Sequence, residues 1–313
     1  MSIKIPKNIY SGKVNTLELG KGDNKVMVGG ESALPFYSFE GEITNRPIVA
    51  VEVYDRKPDD WPEAVGRYYS DVYDDPVKWA KKSIDRYGAD AICLRLKRIN
   101  PEEEDMSPEE AAGIVKTVRE SINRPLIVYG TGPLEKIAEV MKKVSEKNKD
   151  EKILMGWVEE DNYKTLAASA IAYKNNVVAL NPLDVNIAKQ INILLTQLGV
   201  PPDCIAMDPS TSGLGYGLEY CYSAMERLKI AALMQDDKMT QMPIITDVAP
   251  EVWKLKEVKE SEEHYPLWGT QEERGINWET ITSMSMLLSG SNILIMRHPR
   301  AIGLIKEFIE ELL

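Results

Sequence analysis

Asp208 is the residue from which chemistry in this chain is most readily drawn. It closes a short apolar run, Cys204 to Met207, and opens the loop Pro209, Ser210, Thr211, Ser212, Gly213, Leu214 and Gly215. A helical pattern follows, with Cys221, Met225 and Leu228 on one face. An apolar run that stops at Asp-Pro and passes through glycine, serine and threonine into a helix reads as a βα unit with a ligand-facing loop. Glycine lets backbone come close to a large ligand, and hydroxyls and free N–H groups at a helix start offer donors to polar or anionic groups. Asp208 is placed to act as a general base with Asn181 as its hydrogen-bonding partner. It is equally placed to be a helix cap or turn former with no ligand at all.

Other polar residues fall where short apolar runs end: Glu52 and Asp55, Arg95 and Arg98, Thr131 and Gly132, Glu159 and Glu160, Asn181 and Asp184, Asp247, and Arg297 with His298. They form a rim of carboxylates, amides and hydroxyls without a catalytic constellation, and no catalytic residue is assigned. Asp184 reads as an N-cap. Arg95 reads as the structural ion-pair partner of Glu52, and His298, followed by Pro299, as a helix start. No lysine is expected at a strand end, which leaves Schiff-base chemistry unsupported.

The elements that must position this rim alternate strictly. Strands are predicted at 48–53, 91–96, 126–128, 153–157, 177–180, 204–207, 243–246 and 293–296. Helices are predicted at 76–87, 107–121, 133–145, 162–174, 184–198, 219–233, 278–289 and 299–313. The helix at 107–121 carries Ser107 as cap, Pro108 at its first position and Glu110 completing a capping box. Apolar runs without polar alternation mark strands buried on both faces of a parallel sheet. Eight βα units over about 250 residues match a TIM (β/α)8 barrel. A doubly wound sheet is the competitor, but no Gly-x-Gly-x-x-Gly follows the first strand. Residues 1–47 precede the pattern as an N-terminal extension, and 48–313 form the barrel. In the extension, Thr16 to Leu19 and Lys25 to Val28 flank Gly20 to Asn24 and predict a β-hairpin that plugs the bottom of the barrel or pairs with a partner. Two long loops, 55–75 and 248–277, carry Trp61, Tyr68, Tyr69, Tyr73, Trp253, His264, Tyr265 and Trp268. Such aromatics suggest a protein interface or pin each loop to its own barrel.

Composition narrows the function classes. The 313 residues are 43% hydrophobic and 28% charged, with a net charge of −11. That balance argues against nucleic acid, which needs a basic face. No apolar run of about 18 residues spans a membrane, the first residues lack a signal-peptide core, and a cytoplasmic location is expected. Three cysteines, Cys93, Cys204 and Cys221, fall short of the four thiolates an iron–sulfur cluster takes. The two histidines, His264 and His298, lack zinc-site spacing, and no protein-bound metal is expected.

Three segments carry a family resemblance. VMVGGESALPFYSFEGEITNRPIVAVEVYD (residues 26–55), DPSTSGLGYGLEY (208–220) and MPIITDVAPEVWK (242–254) are similar to the small subunit of the corrinoid iron–sulfur protein. The archaeal counterpart is the delta subunit of the acetyl-CoA decarbonylase/synthase complex. The resemblance implies a TIM barrel that forms a heterodimer with a large subunit. That subunit would hold a four-iron cluster and a corrinoid domain, and this chain would cover the cobalamin from the other side. It further implies methyl transfer from a methyltetrahydrofolate-dependent methyltransferase to acetyl-CoA synthase, in the methyl branch of the reductive acetyl-CoA pathway of carbon fixation. No independent catalysis and no iron–sulfur cluster in this chain are expected on that reading. The chain has no Asp-x-His-x-x-Gly motif for a cobalt-ligating histidine.

Position on the rim nominates the corrin contacts: Thr131, Gly132, Asn181 and the loop Ser210, Thr211, Ser212, Gly213, Leu214 and Gly215, with Asp208 and Asp247 behind them. The alternative is a stand-alone pterin-binding TIM-barrel methyltransferase using methyltetrahydrofolate, with Asn181 and Asp208 on the pterin. A barrel aldolase or isomerase ranks last, because Gly290 and Ser291 precede the eighth strand, whereas a phosphate site follows strands seven and eight.

Overall fold

The computed structural model describes residues 6–313; residues 1–5 of the expected extension lie outside the described residues. Two strands, β1 (Thr16–Leu19) and β2 (Val26–Gly29), form an antiparallel hairpin with Thr16 opposite Gly29 and Leu19 opposite Val26. Eight parallel strands follow: β3 (Ile48–Tyr54), β4 (Ala91–Leu96), β5 (Leu126–Gly130), β6 (Leu154–Val158), β7 (Asn176–Leu180), β8 (Ile205–Asp208), β9 (Ile244–Asp247) and β10 (Ser291–Met296). They close in chain order, with β10 returning to pair with β3. The expected TIM barrel with an N-terminal hairpin is therefore observed.

The strands read as unbroken apolar runs because both of their faces are buried. Alternate residues of β3, Ile48 and Ala50, join Ala91, Cys93, Ile127, Leu154, Val178, Ala206, Ile245, Ile293 and Ile295 inside the barrel. The intervening residues, Val49, Val51 and Val53, pack outward against the helical layer. Leu17, Leu19 and Val28 of the hairpin complete the interior cluster and are fully buried. The hairpin is thus the barrel's floor, and each of those side chains contributes about 1.5–3 kcal/mol by leaving water.

Local chemistry sets the helix starts. The side chain of Asp75 accepts from the N–H groups of Val77 and Lys78, 3.0 and 3.1 Å away, at the head of helix Pro76–Asp85. Ser107 and Glu110 form the predicted capping box of helix Pro108–Ser121. Asp184 caps helix Val185–Gln197, accepting from Asn186 N at 2.7 Å. One helix differs from expectation: it runs Gln271–Ser289, two turns longer than the pattern beginning at Trp278. Its charged first turns hide an apolar contact, because Gly275 lets the helix approach the Trp253 ring so closely that a Cβ there would stand 2.2 Å from it.

The aromatics of the first long loop turn inward. Trp61, Tyr69 and Tyr73 surround Trp79 with ring centroids 5.1–5.4 Å from it, and Tyr69 donates to the carbonyl of Arg297 at 2.6 Å. They pin the loop to its own barrel instead of offering an interface. In the second loop Trp253 is buried, whereas Tyr265 and Trp268 stack at 4.0 Å beside the exposed Leu267.

Candidate ligand face at the barrel mouth

At the C-terminal ends of the strands, where barrel function gathers, the inward positions change from apolar to charged. Glu52 of β3 is fully buried and accepts from Arg95 Nε of β4 at 2.5 Å and, through its other oxygen, from Arg297 Nε after β10. Arg95 also donates to Asp247 Oδ2 at the end of β9, 2.7 Å away. Arg297 donates to the Tyr54 hydroxyl at 2.8 Å and lies 4.5 Å over the Trp61 ring. Arg95 lies over Tyr129 and Trp157 at 5.4 and 5.5 Å. Two guanidiniums and two carboxylates thus fill the mouth, packed against aromatic rings. The pairing of Arg95 with Glu52 is as expected, and Arg297 and Asp247 extend it.

Burial alone would raise the Glu52 carboxyl, but Arg297 and Arg95 hold it below its usual range. The two aspartates behave oppositely. Burial, aided by repulsion from Asp247, pushes Asp208 up to about 7. Burial raises Asp247 to about 6, with Arg95 opposing. Asp208 accepts from Trp157 Nε1 and from the N–H of Ser210, both at 2.9 Å. It is therefore an anchor for the loop and for Trp157, and its backbone carbonyl takes the N–H of Asn181 at 2.9 Å.

The nominated residues divide into two groups. Asn181, Asp208, Thr211, Leu214 and Asp247 are buried. Asn181, with its amide nitrogen turned to the acceptors, donates to the carbonyls of Asp208 and Ala179 at 3.2 and 3.1 Å. Thr211 donates to the carbonyl of Asp247 at 2.7 Å, and Leu214 belongs to the outer core. Thr131, Gly132, Ser210, Ser212, Gly213 and Gly215 reach solvent. Thr131 and Gly132 follow β5 and the serine–glycine loop follows β8, so the two groups stand three strands apart across the mouth. The loop itself is pinned at Ser210 and Thr211 and open beyond them; Tyr216 is 93% exposed. Gly215 has φ +85° and rests on Leu255, so a side chain there strains the loop.

His298 plays the structural part read from the sequence. It caps the last helix, accepting from Arg300 N at 3.2 Å, and stacks on Trp253; burial lowers its pKa to about 4. Sequence reasoning missed Glu279, a fully buried carboxylate that accepts from the N–H groups of Arg297 and His298 and from Trp253 Nε1. Burial raises it to about 7. Nothing in its helical context signals that role. Lys97 directly follows β4, against the expectation of no lysine at a strand end; its Nζ lies 5.5 Å over the Tyr54 ring.

A family model described as CO dehydrogenase/acetyl-CoA synthase delta subunit matches residues 16–299. The chain belongs to this family. The acetyl-CoA decarbonylase/synthase complex subunit delta 2 of Methanosarcina acetivorans is 35% identical over 301 residues, covering 94% of this chain and 67% of that protein. The delta subunit of Archaeoglobus fulgidus is 35% identical over 320 residues, covering 98% and 70%. Among solved structures, dihydropteroate synthase of Xanthomonas albilineans with 4-aminobenzoic acid superposes with a TM-score of 0.57 at 12% identity, over 95% of this chain and 98% of that one. The Thermus thermophilus enzyme gives 0.55 at 16% identity, over 86% and 95%. These two likenesses speak to the barrel fold alone. No helix among the described residues is long and apolar enough to cross a membrane.

Proposed function

We propose that this delta-family chain is the small subunit of a heterodimeric corrinoid iron–sulfur methyl carrier. In this reading it covers the cobalamin held by a large subunit and docks a methyltetrahydrofolate-dependent methyltransferase and acetyl-CoA synthase in turn, in the cytoplasm. Residues 48–313 act as the barrel, and the extension before them closes its lower end through the hairpin β1–β2. When bound, the corrinoid supplies the cobalt that carries the methyl group. This chain's own part is to bind and to exclude water. A corrin is broad, with apolar ring atoms and amide arms. The open loop offers hydroxyls at Ser210 and Ser212 and bare backbone at Gly213 and Gly215 for such a periphery; Thr131 and Gly132 stand across the mouth. Beneath them the Tyr129 hydroxyl and Asp247 Oδ1 are buried without a hydrogen-bond partner among the described residues.

The observation that carries this reading over a stand-alone pterin methyltransferase is the filled mouth. Glu52, Arg95, Arg297, Asp208 and Asp247 are all at most 8% exposed, and a pterin entering the barrel would have to part ion pairs that hold one another. A ligand resting on the rim does not.

Co-expression with and without the candidate large subunit tests the proposal by absorbance and mass. A colourless lone chain and a one-to-one complex with corrinoid and iron–sulfur bands are expected. A lone chain that ignores the partner and binds methyltetrahydrofolate would overturn it. Within the complex, Ser212→Trp adds bulk at an exposed, unstrained position and should lower corrinoid retention.

A further inference from the structure

Charge is placed on this barrel by position. The eight loops that lead from the ends of β3–β10 to the helices after them make up about a quarter of the chain. They carry 20 carboxylates against nine lysines and arginines, a net −11. The whole chain is also −11, so all the rest, helical layer and lower end included, is balanced at 29 against 29. An evenly acidic protein would put only about a quarter of its excess on these loops.

Some of this charge is matched within the chain, as Glu103 and Glu104 are by Arg56. Glu63 and Asp74 after β3, Glu102 after β4, Asp161 after β6, and Glu262 and Glu263 after β9 are exposed and make no ion pair among the described residues. They ring the mouth, since those four strands lie round the closed barrel. Between β6 and its helix, burial raises the Glu159 carboxyl and Asp161 adds repulsion, with no lysine or arginine in that loop. The centre of the ring is incomplete as well. Tyr129 is fully buried and Asp247 is 8% exposed, and the Tyr129 hydroxyl and Asp247 Oδ1 have no hydrogen-bond partner among the described residues.

Sign and shape select the occupant. Among the described residues no group of three acidic, histidine or cysteine side chains could hold a metal ion, so the counter-charge must come from an extended surface instead of one cation. A second copy would bring an equally acidic face, and like charges set against each other cost several kcal/mol. Nucleic acid is excluded by the same sign. What fits is a protein with basic side chains arranged around the mouth. Charge also suits a cover that leaves and returns. Attraction between rims acts over roughly 8 Å at physiological salt and speeds encounter, and parting them uncovers no apolar core.

We infer that the acidic loops around the mouth are the docking surface for the corrin domain of the large subunit, which meets them with a basic rim. The inference rests on the functional reading above and adds to it the chemistry of the contact.

The co-expressed complex tests this in two ways. Raising sodium chloride from about 0.1 M to about 1 M shortens the reach of charge from about 10 Å to about 3 Å and should weaken the heterodimer at least ~10-fold. Glu102→Gln, Asp161→Asn, Glu262→Gln and Glu263→Gln together should weaken it at least ~10-fold at the lower salt and flatten the salt response. Glu139→Gln, Glu226→Gln, Glu307→Gln and Glu311→Gln remove the same charge from exposed helix positions and should bind as wild type does. Carbodiimide, which joins carboxylates to lysines in direct contact, should link the four loop residues to lysines of the corrin domain. If the loop variant binds as tightly as wild type, or both variants weaken alike, the face is wrongly assigned. Crosslinks only to the iron–sulfur part of the large subunit would give the face to that part and overturn the inference. If no wild-type heterodimer forms at either salt, the functional reading itself fails.

Discussion

Replacing Glu52 by glutamine puts the barrel-mouth network under the most direct strain. Glu52 is fully buried and touches two guanidiniums, Arg95 at 2.5 Å and Arg297 through the other oxygen. Glutamine keeps the shape but removes the charge and turns one acceptor into a donor, so one guanidinium meets an N–H. Arg95 retains Asp247 at 2.7 Å. Arg297 retains the Tyr54 hydroxyl and the Trp61 face, and loses its only side-chain ion pair, with Asp60 and Glu279 left as weaker counter-charges. Breaking a buried pair from one side costs about 3–5 kcal/mol. Unfolding entropy of about 2.1 cal/mol/K per residue gives roughly 0.65 kcal/mol per kelvin for a chain of this length. The transition midpoint should therefore fall by about 5–8 °C in calorimetry. Glu310→Gln, which breaks the exposed pair with Arg46, should barely move it. A Glu52→Gln variant that melts within 1 °C of wild type would refute the claim that the mouth is held by this network.

Two further outcomes come from the same floor. Asp208 holds its proton more tightly when folded, about 7 against the ordinary 3.8. Between those values the native state binds more protons than the unfolded one, so this group's contribution to stability falls as pH rises from about 4 to 7. Denaturant titrations across that window should show a shallower fall for Asp208→Asn, while Asp247 and Glu279, raised in the same direction, keep part of the slope. An unchanged slope would remove Asp208 from the account. Tyr129→Phe deletes a buried hydroxyl without a partner among the described residues. Chemical unfolding should show it neutral or stabilising, within about 1 kcal/mol, and a larger loss would mean that the hydroxyl is bonded in solution.

The architecture was legible because its signals are local. Strands buried on both faces leave short apolar runs, and Asp75, Ser107 and Asp184 mark helix starts by side chains that bond within three residues. The hairpin also followed from its alternation, but its place as the floor was one of two readings, decided by the burial of Leu17, Leu19 and Val28 inside the barrel. What escaped depended on distance in the chain. The network at the mouth joins Glu52 to Arg297 across 245 residues, and only its Glu52–Arg95 limb was read. The loop aromatics at 61, 69 and 73 could have faced either way; their convergence on Trp79 decides it, and no periodicity in a loop foretells that. For the same reason the direction of each side chain in the 210–215 loop was not legible: Thr211 and Leu214 turn into the protein and Ser212 turns out.

The way the mouth is built bears on what kind of partner this barrel can serve. A barrel enzyme keeps its strand ends free to bind and release a small substrate. Here the strand ends spend their charge on one another, and the loop above them is fastened by Asp208 to Ser210 and by Thr211 to the backbone of Asp247. Only the outer part of the loop, from Ser212 to Tyr216, stays exposed apart from the buried Leu214. Such a surface changes little when something leaves it and returns. A methyl carrier must meet a donor and an acceptor in turn, so one side of the cofactor has to move. In the proposed methyl carrier, with the wall held by buried ion pairs, the movement would fall to the partner's corrin domain, and loosening the wall through Glu52 should impair methyl transfer even where the heterodimer still forms.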